Sequence, residues 1–112
     1  MQYEVLLVEE VEKFILSLPI KIQAKIQRTL DLLREFGYKL SLPHSKTLIE
    51  GKKLKELRIK FGTDICRLFY FHYKDKTYVV VSGYMKKEQK TNIREIDKAL
   101  LLMKQIEEEN NA

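Results

Sequence analysis

Cysteine is nearly absent from this chain of 112 residues: the single thiol, Cys66, excludes an intramolecular disulfide and a cysteine-based metal site. Glycine and proline are scarce as well, 4 and 2 residues, and with 45% hydrophobic and 33% charged side chains this excludes disordered, collagen-like and low-complexity chains. Long apolar runs are missing too. Uncharged stretches such as Ala99-Leu100-Leu101-Leu102-Met103 fall far short of the roughly 18 residues of a membrane span. The amino end, Met1-Gln2-Tyr3-Glu4-Val5, lacks the charged-then-apolar pattern of a signal peptide, so the expected address is the cytoplasm. There is no glycine-rich phosphate loop, His-Glu-x-x-His helix, Cys-x-x-Cys pair or Ser/His/Asp constellation, which removes nucleotide hydrolases, zinc enzymes and most acyl-transfer chemistry.

What the chain does carry is positive charge, +5 overall, and the excess is uneven. Residues 1–37 hold 5 basic and 6 acidic side chains, and residues 91–112 hold 3 and 5. Residues 38–90 hold 13 basic against 5 acidic, a net +8, so the middle of the chain is the candidate polyanion site.

The length fits one domain, and the periodicities predict one α+β domain over residues 1–112. Residues 3–8 are β-branched and apolar enough for a short strand, and Val8, Val11, Phe14, Ile15 and Leu18 then fall at helical spacing. Pro19 suits the first turn of a second helix, with Ile22, Ile26, Leu30 and Leu33 as its apolar stripe and Gly37 as its stop. Lys21, Lys25, Arg28 and Arg34 lie on that helix's other face, as plain solvation or as a binding surface. Residues 38–53 are polar and irregular, a long connection of the kind that borders sites.

Three strand candidates follow, residues 55–61, 65–73 and 77–84, joined by connections short enough for an antiparallel meander. In the first, Leu57, Ile59 and Phe61 alternate with Glu56, Arg58 and Lys60, which predicts one wet, charged face. The second is apolar on both faces and is therefore expected at the centre, where Arg67 needs an anion. A last helix is expected over residues 91–108, capped by Thr91 or Asn92, with a frayed acidic tail from Glu107.

Few side chains in this frame can carry chemistry. His44 is either a solvated loop histidine or an acid–base group, and His72 ends the central strand in a structural position. Asp64 and Asp75 read as turn residues, leaving Glu56 and Glu88 as carboxylates for a site, with an ion pair to Arg58 or Arg67 as the plainer role of Glu56. Lys86-Lys87-Glu88-Gln89-Lys90 follows the third strand and, with Arg58 and Arg67, would gather cations on one sheet face.

Three segments, Leu54-Lys55-Glu56-Leu57-Arg58-Ile59, then Arg67-Leu68-Phe69-Tyr70-Phe71, then 83–91 with Lys86, Lys87, Lys90 and Thr91, together resemble the RelE/ParE toxin superfamily. The similarity is greatest to the phage-derived HigB-type branch. The resemblance implies a microbial-ribonuclease-like sheet with an amino-terminal strand and helical hairpin, a meander and a carboxy-terminal helix. It further implies the toxin of a type II toxin–antitoxin system: an endoribonuclease that cuts mRNA on the 70S ribosome, requires no cofactor or metal, touches no membrane and is neutralised by a HigA-like helix-turn-helix antitoxin. By motif position Arg58 and Arg67 would hold the scissile phosphate, with Lys86 and Lys87 as basic catalytic groups and Lys87 or Glu56 as the base. Lys53, Lys55, Lys60 and Lys90 would bind RNA, and Tyr84 would stack on a base or pack as a rim residue. Ile93 stands near the position of a tyrosine that some relatives use in the last helix. The alternative within the superfamily is a ParE-like toxin that inhibits DNA gyrase and has no nuclease activity. A non-catalytic RNA-binding module is a further alternative; it would need exposed stacking aromatics on a sheet face, whereas Phe69 and Phe71 read as buried.

Overall fold

The computed structural model describes residues 2–48, 53–86 and 92–111, the side chains of Lys86 and Asn111 excepted. Strand β1 (Glu4–Leu7) leads into helix α1 (Glu9–Leu16), and Pro19 stands at the amino-terminal cap of α2 (Ile20–Phe36), where its missing N–H has no helical partner to lose. Gly37 ends α2 with φ +54° and begins a single 3-10 turn, Gly37–Lys39. Strands β2 (Ser45–Thr47), β3 (Lys55–Phe61), β4 (Asp64–Lys74) and β5 (Thr77–Lys86) follow, and α3 (Ile93–Asn111) closes the order.

The five strands form one sheet in the order β1-β5-β4-β3-β2, with β4 in the middle as its two apolar faces predict. β3, β4 and β5 are the expected antiparallel meander, while β1 runs parallel to β5, pairing Val5 with Tyr78 and Leu7 with Val80. The loop expected to be irregular supplies an edge strand, β2, which pairs with the first half of β3. α3 continues through the acidic tail that the sequence predicts to fray, and Asn92 is its cap: its Oδ1 accepts the Arg94 N–H at 2.9 Å.

Two cores sit on opposite faces of the sheet. α1 and α2 cover Leu57, Ile59, Cys66, Leu68, Tyr70 and Val80 with Val11, Ile15, Ile26, Leu30 and Leu33. α3 covers Leu54, Phe69, Phe71, Val79 and Val81 with Ala99 and Met103. Burial pushes the Cys66 thiol up to about 12, so it remains protonated and is a core side chain.

A side chain at Gly37 would meet the Tyr3 ring 2.4 Å away on a backbone of positive φ. Gly37→Ala is therefore expected to cost about 1–3 kcal/mol in urea denaturation, combining left-handed strain with displacement of Tyr3.

Candidate functional site

The pleat of β3, β4 and β5 places Arg58, Arg67 and Tyr84 in one row across the α3-facing side of the sheet. Glu56, Phe69 and Ser82 form the neighbouring row on one side, and Lys60, Ile65 and Lys86 that on the other. Two arginines directly opposite each other repel. Glu56 resolves this: its Oε1 accepts Arg67 Nη1 at 2.6 Å and lies 3.5 Å from Arg58 Nε.

This arrangement corrects, at Glu56, the expectation that the charged face of β3 is wet. Lys60 is exposed and the Arg58 side chain is 25% exposed, but that of Glu56 is 0% exposed and that of Arg67 on β4 is 1% exposed. The reason is neighbourhood: Glu56 lies opposite the fully buried Phe69, one row inward from the rim, so alternation on β3 reports only a face and not its cover. The anion that Arg67 requires is Glu56, the plainer of the two roles considered for it.

Tyr84 takes the rim position. Its ring stands edge-on to Phe69 at 5.7 Å, and its hydroxyl oxygen accepts the Asn92 N–H at 3.1 Å, which ties the head of α3 to β5. Burial raises its pKa, with Asn92 and Arg67 opposing the shift, so the phenol stays protonated at neutral pH. Ser82 Oγ donates to Glu95 Oε2 at 3.3 Å from the next row.

β2 pairs only with residues 55–57, so from Arg58 onward β3 is a sheet edge, and there the surface opens. A cavity of about 350 Å³ is lined by Lys25, Arg28, His44, Arg58 and Lys60 among others, and an adjoining one of about 240 Å³ by Pro43, Arg58, Lys60 and Ile65. Pro43, Arg58 and Lys60 are common to both. The Arg58 N–H donates to the His44 carbonyl at 2.8 Å, fixing the loop against the edge. Lys25 Nζ donates to the Lys60 carbonyl at 3.2 Å and lies over the Phe61 ring at 5.3 Å. Four cations and a histidine thus face one cleft, an arrangement that attracts a polyanion. Lys25, Arg28 and His44 were read in the sequence mainly as solvated groups. Their spacing on α2 and in the loop reveals a shared face, but only the docking of α2 beside β3 brings them to Arg58.

Lys55 and Lys53 do not join this cleft. Lys55 lies opposite Tyr70 and Lys60 opposite Ile65, five residues or about 16 Å apart along β3, and they point to different faces. Lys53, two residues before Lys55, pairs with Glu107 of α3 at 3.5 Å. Lys86 ends β5 opposite Ile65. Lys87, Glu88, Lys90 and Thr91 lie outside the described residues. His72 Nε2 is 2.6 Å from the Asp75 carbonyl at the β4–β5 turn, in the structural position expected. Among the described residues no three of His, Cys, Asp and Glu gather to hold a metal ion, and no helix is long and apolar enough to cross a membrane.

Comparison with known proteins agrees with this architecture. A chain of the archaeal RelE–RelB complex from Pyrococcus horikoshii OT3 superposes with a TM-score of 0.56 at 20% identity, over 80% of this chain and 100% of that one, so the RelE-type fold read from the sequence is present. No curated protein sequence matches. The family model for phage-derived Gp49-like proteins matches residues 13–104, which takes in the end of α1, all of α2, the whole meander and most of α3. The chain belongs to the phage-derived Gp49-like family and has a RelE-like fold.

Proposed function

We propose that this chain is the toxin of a type II toxin–antitoxin system, a single HigB-like domain over residues 1–112 that cuts mRNA as an endoribonuclease, probing transcripts on the 70S ribosome in the cytoplasm. The observation that carries the reading is the Glu56-centred arginine pair whose one accessible member, Arg58, opens onto the cleft of Lys25, Arg28, His44 and Lys60. The fold relative comes from a complex of RelE with RelB, which supports a co-expressed antitoxin as partner, here of the HigA-like helix-turn-helix type.

The reaction is an in-line transesterification: the RNA 2′-oxygen bonds to the adjacent phosphorus, the bond to the 5′-oxygen breaks, and a 2′,3′-cyclic phosphate and a 5′-hydroxyl result. One proton leaves the 2′-hydroxyl and one is delivered to the 5′-oxygen. Arg58 holds two non-bridging oxygens with its fork and takes up the charge that develops on them. Glu56 and Arg67 act behind it as positioning residues, since a carboxylate 0% exposed and shared by two guanidinium groups is out of reach of a ribose hydroxyl. That moves the proton acceptor from Glu56 to His44, which lines the cleft beside Arg58 and whose imidazole nitrogens can both take and return a proton. Lys86 remains a cationic group for the same phosphate, and Lys87 either a second such cation or, as the neutral amine, a second proton acceptor. Lys25, Arg28, Lys60 and Lys90 bind flanking phosphates.

Primer extension on abundant mRNAs after brief induction without antitoxin tests the reading. Discrete cuts within minutes, together with growth arrest, are expected. Arrest with intact transcripts and double-strand DNA breaks would replace it by the ParE-like gyrase reading.

A further inference from the structure

Lys55, separated by the fold from the arginine cleft, lines a further cavity of about 450 Å³ at the far end of the sheet and on its α2 side. Three tyrosines from distant segments meet there: Tyr3 before β1, Tyr38 in the 3-10 turn after α2, and Tyr78 at the start of β5. The Tyr3 and Tyr78 rings are 5.6 Å apart, and His72 lies 5.4 Å from Tyr78 on the other side. Tyr78 is the buried floor, whereas Tyr38 is 66% exposed beside the opening. Burial, then the neighbouring phenols of Tyr3 and Tyr38, raise the Tyr78 pKa, so its hydroxyl stays a donor. Lys53, Lys55 and Lys76 line the same cavity, and among the described residues Asp75 is its one acidic side chain.

Aromatic rings beside flexible cations are what single-stranded nucleic acid requires: rings for the faces of unpaired bases, ammonium groups for the phosphates between them. The volume is within the range of small-molecule sites. The sheet-face aromatics Phe69 and Phe71 are buried, as their pattern predicts, and the accessible ring is here instead. We infer that the Tyr3–Tyr38–Tyr78 cavity holds an unstacked base of single-stranded RNA, with Lys55 and Lys76 on its phosphates. This rests on the reading of the chain as an RNA-acting protein and adds a second contact remote from the cut. Along β4, Arg67 and His72 are five residues apart, about 16 Å, and on opposite faces, so a base bound here belongs to a distant nucleotide and not to the scissile one.

The test is fluorescence anisotropy of the full-length protein with a labelled single-stranded 2′-O-methyl oligoribonucleotide of about twelve nucleotides, which lacks the attacking hydroxyl and reports binding alone. Tyr38→Ala is expected to weaken binding by about 5- to 150-fold, and Tyr38→Phe, which keeps the ring, to bind like the parent. Lys76→Ala should lower the slope of log affinity against log salt by about 0.7. Ultraviolet crosslinking and peptide mapping should place the adduct on Tyr3, Tyr38 or Tyr78. A folded Tyr38→Ala protein that binds as tightly as the parent, adducts confined to other segments, or a parent that does not bind would each overturn the inference. The failures are separable: discrete mRNA cuts with an inert Tyr38 remove the cavity and leave the nuclease, whereas a Tyr38-dependent affinity with intact transcripts removes the nuclease and leaves the cavity.

Discussion

Arg58→Ala lowers the yield of mRNA cuts by about 10²- to 10³-fold at equal protein level, the loss expected when one preorganised charge-stabilising donor is removed. The size follows from position. Arg58 is the member of the arginine pair that reaches the surface, it lines both cavities at the β3 edge, and Glu56 holds its guanidinium from behind. Because its side chain is already 25% exposed, the melting temperature should move little. Arg58→Lys keeps the charge but not the two-pronged geometry, so most of the loss should persist. Quantified primer extension beside thermal melting checks this. A folded Arg58→Ala protein that cuts at the parental rate would show that the cleft around β3 is not where the phosphate sits.

Removing the carboxylate behind it acts on stability first. Glu56→Ala leaves Arg67 buried with its 2.6 Å partner gone, and breaking a buried pair from one side costs about 3–5 kcal/mol, a large share of a small domain's stability. The same substitution leaves Arg58 and Arg67 facing each other across β3 and β4 without the charge between them. Urea denaturation should show the midpoint falling sharply with little change in slope. Replacing both partners, Glu56→Leu with Arg67→Met, should recover much of the stability, since apolar groups of similar volume can substitute for a buried ion pair. Cleavage should stay low in that double variant, because nothing then holds the Arg58 fork. A loss below about 1 kcal/mol for Glu56→Ala would mean that the pair is hydrated and the positioning role is wrong.

Much of the fold could be read from local pattern, because local pattern is what sets a helix stop or a strand's two faces. Pro19 and Gly37 bound α2 through a missing N–H and a positive φ, Asn92 caps α3 through its own side chain, and the doubly apolar β4 is central because no edge strand could hide both faces. Contacts between distant segments were not legible in that way. Nothing in residues 3–8 says that β1 lies parallel to β5, and the three residues of β2 are too few to stand out from a polar loop. The site divides along the same line. Arg58 and Arg67 were marked by charge in strand patterns, but that Glu56 is buried between them depends on what covers its face. That Lys25, Arg28 and His44 join Arg58, while Lys55 leaves it for three tyrosines, depends on where α2 and the 3-10 turn dock. Alternation assigns a side chain to a face of its own strand; which charges share a cleft is decided only when helices pack over that face, because burial and electrostatic neighbourhood are properties of the assembled layers.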